Sequence, residues 1–135
     1  MIMNIEEIEG ITAADHKKLG SVGVATIELL LEKGGRRLGR EKLAKDTGIP
    51  EKQILQWVNR ADLMRIKGVG SEYSDLLDEA GVDSCLELSH RVPEHLHKKM
   101  EEINAARRIV RRLPTSHEVE QWVSVAKSMP KVVEH

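Results

Sequence analysis

The chain has 135 residues, 40% of them hydrophobic and 32% charged, and no apolar run long enough to cross a bilayer, so a single globular domain over residues 1–135 is expected. Phe is absent and Trp57, Trp122 and Tyr73 are the only rings, which excludes a platform that stacks single-stranded bases. A formal charge of -1 removes bulk basicity as a reason to expect nucleic acid and leaves only local patches.

The opening, Met1-Ile-Met-Asn-Ile-Glu-Glu-Ile-Glu-Gly10, is acidic and lacks the basic and continuous apolar segments of a secretory leader, which points to the cytoplasm. One cysteine, Cys85, forms no internal disulfide and offers no clustered zinc ligands. Apolar residues recur at three- and four-residue spacing nearly throughout, so the expected class is all-α. A first helix is predicted from about Thr12 to Leu19, where Thr12 and Asp15 have capping-box spacing and Gly20-Ser-Val-Gly23 breaks the run. Thr26 caps a second helix through Leu31, ahead of Gly34-Gly35, and a third covers about Arg36 to Asp46, stopped by Gly48. Pro50 suits the first turn of a fourth, with Ile54, Leu55, Trp57 and Val58 on its apolar face.

The pattern then begins again. A shift of 58 residues places Ile8, Gly10, Leu19, Gly23, Val24 and Leu30 on Ile66, Gly68, Leu77, Gly81, Val82 and Leu88, which reads as an internal duplication of about residues 5–62 and 63–133. Thr26 meets Ser84 and Ile27 meets Cys85, so the thiol is expected to be buried and inert. The second half adds a helix from about Pro93 to Asn104, a basic stretch to Leu113, and a last helix opened by the capping-box pair Thr115 and Glu118. Val119-Glu-Gln-Trp-Val123 in that helix echoes Ile54-Leu-Gln-Trp-Val58, which makes both tryptophans core anchors in preference to ligand stackers.

Ile66-Lys-Gly-Val-Gly70, followed by Ser-Glu-Tyr-Ser-Asp-Leu-Leu77, resembles a helix-hairpin-helix motif. Glycines let such a turn bend sharply and approach a ligand, while amides at the start of the next helix present the positive end of its dipole to a phosphate. The contacting groups would be the Lys67 ammonium, the Gly70 and Ser71 amides and the Ser71 hydroxyl, on a turn formed by Gly68 and Val69. Glu72 and Asp75 depart from a phosphate-gripping pattern and suit a helix start. Ile8-Glu-Gly-Ile-Thr12 lacks the second glycine and carries Glu9 where the other half has Lys67, so the first hairpin is expected to be structural.

Beyond the hairpin, the chain from about Ile5 to Val133 resembles an uncharacterised, mainly bacterial family of tandem helix-hairpin-helix proteins of unknown function. The resemblance rests on Leu43-Ala-Lys-Asp-Thr-Gly-Ile49, on Trp57-Val-Asn-Arg-Ala-Asp-Leu-Met-Arg-Ile-Lys-Gly-Val-Gly70, on Ala80-Gly-Val-Asp83 and on the arginine-rich stretch before Pro114. It implies duplicated helix-hairpin-helix repeats packed as one compact helical domain and a nucleic-acid role, with no established activity or catalytic residue to carry over.

Two basic runs stand out. Arg107, Arg108, Arg111 and Arg112 lie in a stretch without an acid, and if helical, the 107/111 and 108/112 pairs share one side. Arg36, Arg37, Arg40, Lys42 and Lys45 form another, opposed by Glu41. Both are candidates to track phosphates beside the second hairpin, against the alternative of a solvated face neutralised by Glu101, Glu102 and other neighbours. Leu43 to Val58 has the outline of a helix-turn-helix around Gly48, but its recurring Trp-Val helix favours packing over base readout. His90, His95, His97 and His117 lack metal-site spacing, and no catalytic constellation or cofactor motif is present. The sequence therefore favours a non-enzymatic, low-specificity binder of nucleic acid, preferring double-stranded DNA, without metal or cofactor. A protein-interaction or adaptor module with purely structural hairpins is the alternative, and an enzyme with an unrecognised site the least favoured reading.

Overall fold

The computed structural model describes residues 3–135; Met1 and Ile2, which begin the acidic opening, lie outside them. Among the described residues the chain is all-helical: a 3-10 turn at Ile5–Glu7, then α1 Ala13–Ser21, α2 Ile27–Gly34, α3 Arg37–Thr47, α4 Glu51–Leu63, α5 Ser71–Glu79, α6 Cys85–Ser89, α7 Pro93–Arg107 and α8 Ser116–Ser128. They form two compact units, unit 1 being Met1–Asp62 with Val132–His135 and unit 2 being Leu63–Lys131.

Helix starts follow local side-chain chemistry. Thr12, Thr26, Ser84 and Thr115 each accept a bond from the amide three residues on, satisfying a donor that has no partner within the helix. At α8 the predicted box is complete, because the Glu118 carboxylate also accepts from the Thr115 amide at 3.0 Å. Gly48 ends α3 in the left-handed conformation, at φ 78. Pro93 opens α7, which extends past the expected Asn104 to Arg107.

Many bonds of unit 1 recur 58 residues later in unit 2. Ile8 N donates to Ile5 O at 3.1 Å and Ile66 N to Leu63 O at 3.1 Å; Val24 N donates to Leu19 O at 2.8 Å and Val82 N to Leu77 O at 2.8 Å. Gly10 and Gly68 both sit at φ 92, a region where a side chain is strained. A Cβ at Gly10 would lie 3.9 Å from Trp57 Nε1, and one at Gly68 would lie 3.4 Å from Trp122 Nε1. Each turn thus runs close beneath an indole edge. A basic side chain then reaches back to a carbonyl just past the following helix: Lys33 Nζ to Val22 O at 3.2 Å, and Arg91 Nη2 to Ala80 O at 3.1 Å. These placements put positive charge at the negative ends of α1 and α5.

Both tryptophans are buried, as their recurrence predicts. In unit 1 Trp57 is interred with Ile8, Leu19, Leu30 and Ile54; in unit 2 Trp122 belongs to a core with Ile66, Leu77, Leu88, Leu96 and Met100. Cys85 lies in that second core with its Sγ 3.8 Å from Met129 Sδ, in keeping with an inert thiol.

These geometries separate the glycines by their roles. Gly68→Ala is expected to cost about 1–2 kcal/mol, since φ 92 strains any Cβ and the indole leaves little space. Gly10→Ala is expected to behave similarly. Gly70, at φ -94 with open space where a Cβ would stand, is expected to lose only a few tenths of a kcal/mol with alanine, because alanine is a poorer N-cap than glycine. Urea unfolding followed by circular dichroism measures all three, and equal losses at Gly68 and Gly70 would contradict this assignment.

Candidate nucleic-acid interface

The turn before α5 is built from two inward and several outward residues. Ile66 and Val69 are buried and anchor it, with Val69 N donating to Ile66 O at 3.0 Å. Val69 is therefore an anchor whose side chain faces the core, while Lys67, Gly68 and Gly70 are exposed and Ser71 is half-buried. Lys67 pairs with no acid among the described residues.

Gly70 is the N-cap of α5 and, having no side chain, leaves that helix start without a side-chain cap. Its counterpart 58 residues earlier is Thr12, whose hydroxyl accepts from the Asp15 amide at 3.1 Å. Neither the φ of Gly70 nor crowding demands glycine there. Its effect is that the N-cap position contributes no side-chain acceptor to a nine-residue helix. Glu72 is exposed in the first turn, where it complements the helix dipole.

The arginine stretch takes a different shape from the helical face considered above. Arg107 is the last residue of α7, and Arg108 leaves the helix in the left-handed conformation, at φ 49 and ψ 52. The Asn104 side chain then binds both polar groups of Val110, accepting from its amide at 2.9 Å and donating to its carbonyl at 3.2 Å. This bonding folds residues 108–115 into a loop, so the 107/111 and 108/112 pairs do not stack on one helix face.

That loop runs alongside α5. Arg107 pairs with Glu79 at the far end of α5, while the Tyr73 hydroxyl, near its start, donates to the Arg112 carbonyl at 2.7 Å. The Arg112 guanidinium stands 6.0 Å from the Tyr73 ring centroid, and Tyr73 in turn packs on Trp122 with centroids 5.3 Å apart. Trp122 also flanks Gly68, so the hairpin turn, Tyr73 and the arginine loop converge on one indole.

Arg112 forks onto both oxygens of Glu118 at 2.9 and 3.0 Å. This bonding, with the Thr115 amide bond, holds the Glu118 carboxyl well below its ordinary value of 4.5, at about 2, and the same pairing raises the Arg112 pKa. Two of the four arginines are thus engaged, by Glu79 and Glu118, which are among the neighbouring acids of the alternative reading but are not Glu101 or Glu102. Arg108 and Arg111 are exposed and form no ion pair among the described residues. His97 binds the Pro114 carbonyl through Nε2 at 2.8 Å, which fixes the far end of the loop.

Sequence reasoning placed a turn before α5 but missed Tyr73, Glu79 and Asn104 as the groups that place the loop. Tyr73 carried a usable signal, being one of only three rings and lying on the helix that follows the hairpin.

In unit 1 the other basic run is divided: Arg40 is buried, while Arg36, Arg37, Lys42 and Lys45 are exposed. Arg40 is 2% exposed and donates to the Gly34 and Gly35 carbonyls at 2.9 Å each, which removes it from any phosphate-tracking surface. Arg37 lies 3.6 Å from Glu41, and Lys42 lies 3.6 Å from Asp46. In the helix-turn-helix-like segment Ile54, Trp57 and Val58 are buried, and Gln53 donates to Gln56 at 3.1 Å.

The fold and this surface define an all-helical protein with an exposed glycine turn before α5 and a partly neutralised arginine loop beside that helix. The chain belongs to the family described as Domain of unknown function (DUF4332), whose model matches residues 9–129. No curated protein and no solved structure matches it.

The Arg112–Glu118 pair has a defined pH signature. A carboxylate held lower in the folded state contributes stability that is complete above its unfolded value and is lost as pH falls through its folded value. The stability gap between wild type and Glu118→Gln is therefore expected to be widest near neutrality and to narrow from pH 4.5 toward about 2. Urea unfolding at stepped pH measures the gap, and a constant difference across that window would contradict the assignment.

Proposed function

We propose that this protein is a non-enzymatic, low-specificity nucleic-acid-binding protein that grips the backbone of double-stranded DNA through the second of two helix-hairpin-helix repeats. The observation that carries the reading is Gly70. At this helix start a glycine stands where neither backbone nor packing requires one, and it leaves without a side-chain cap the position where Thr12 caps an amide in the other half. A phosphate is the natural guest of such a helix start, with the Ser71 hydroxyl beside it and the Lys67 ammonium adjacent. Arg108 and Arg111 supply further positive charge from the loop along α5, while Arg107 and Arg112 mainly shape that loop. The paired hydrogen bonds and glycine turns 58 residues apart support the duplication, and a cytoplasmic location accompanies this reading.

Gly70→Asp separates binding from folding. Aspartate is a favoured N-cap, so the variant is expected to be as stable as wild type or more stable by a few tenths of a kcal/mol. Its charge repels phosphate, and affinity for a mixed-sequence duplex should fall by about tenfold or more, measured by fluorescence polarisation at low salt. Lys67→Gln and Arg111→Gln should each weaken binding and reduce the slope of log K against log salt by about 1. Absence of duplex binding by wild type, or undiminished binding by a folded Gly70→Asp, would reject the proposal. The engagement of Arg107 and Arg112 by acids favours an adaptor module as the second reading, and it gains if wild type fails to bind any duplex.

A further inference from the structure

Residues Val132–His135 belong to unit 1, and their backbone, apolar and acidic groups are each held at the corner between α2 and α3. The Glu134 amide donates to the Gly35 carbonyl at 2.7 Å. Arg40, whose Nη1 binds the Gly34 and Gly35 carbonyls, uses Nη2 to bind the Glu134 carbonyl at 2.5 Å. The Glu134 carboxylate accepts from the Arg37 amide at 3.2 Å, in the first turn of α3. Arg36, the N-cap of that helix, makes no side-chain capping bond, so Glu134 supplies from a distant part of the chain what the local sequence lacks.

Val133 is 2% exposed, and a Cβ on Gly35 would stand 2.4 Å from the Val132 carbonyl, so glycine leaves the passage that the segment occupies. Arg40 Nε is buried without a hydrogen-bond partner, leaving one donor here that the chain's own segment does not satisfy.

We infer that the α2–α3 corner is a peptide-binding socket whose ligand is an extended segment with a buried aliphatic residue followed by a carboxylate, and that residues 132–135 fill it as a displaceable occupant. Main-chain bonds supply affinity, while the aliphatic and acidic positions supply selectivity. A four-residue occupant can leave by local opening, well below the free energy of global unfolding. The socket is assembled from unit 1 residues and makes no use of the hairpin before α5.

The test uses the full chain and a fluorescein-labelled peptide of the sequence Met-Pro-Lys-Val-Val-Glu-His, that of residues 129–135. In the variant Val133→Asp with Glu134→Lys the chain's own segment is released, and the peptide should bind this protein at least about tenfold more tightly than wild type. In wild type the tethered segment competes at an effective concentration of about millimolar. The same peptide with lysine in place of its glutamate should bind neither protein. A released variant with wild-type helical circular dichroism and no peptide binding overturns the inference.

If the double variant loses its helical signal, hydrogen exchange on Glu134→Ala decides instead. Faster exchange at the Arg37 amide with unchanged exchange in α4 supports the socket, and an unchanged Arg37 rate overturns it. DNA affinity is read on the same proteins, so failure of the socket and failure of the hairpin remain distinguishable.

Discussion

The backbone at Gly10 and Gly68 is the constraint on which each unit depends. At φ 92 the chain reverses tightly enough to pass beneath an indole edge, and it is the positive φ that disfavours a larger residue. Once the turn is fixed, its apolar neighbours point inward, Ile8 and Ile66 being 1% exposed, and the next helix starts at a defined place. In unit 2 the same indole supports Tyr73, and Tyr73 positions the arginine loop. A backbone dihedral thereby governs where charged side chains on another element come to lie.

The distribution of charge matters more than its sum. A net charge of -1 covers arginines in very different circumstances. Arg40 is buried as a carbonyl clamp, Arg107 and Arg112 are matched by carboxylates, and Arg108 and Arg111 face solvent. Desolvation explains why Arg40 holds several carbonyl acceptors, since a buried guanidinium without them would be strongly destabilising. Exposed pairs such as Arg112–Glu118 contribute mainly geometry, because water screens them and their net stabilisation is small.

What the sequence disclosed were features set within a few residues of one another. Thr12, Thr26 and Thr115 declare their helices because a hydroxyl bonds an amide three positions on, and Gly48 declares a helix end by its freedom at positive φ. The tryptophans declare the core by recurring on amphipathic helices. The turn at Gly68 and the start of α5 at Ser71 were legible for the same local reason. Features set across the chain were not legible: Arg107 finds Glu79 and Arg37 finds Glu134 through tertiary packing. Nothing in the run Arg36 to Lys45 distinguishes Arg40, whose burial depends on carbonyls of another helix and of residue 134. Arg108 misled the helical reading because arginine ordinarily continues a helix, and here Asn104 captures the following backbone.

The placement of Glu134 also orders events in time. On a ribosome the amide of Arg37 and the guanidinium of Arg40 emerge 97 and 94 residues ahead of the group they bind. A domain composed only of early residues can complete all its contacts as soon as it clears the exit tunnel, whereas unit 1 gains its last ones only later. Its α2–α3 corner stays open while all of unit 2 is being made, and it closes only when residues 132–135 appear. The last hydrogen bonds of the first unit thus wait on synthesis of the second.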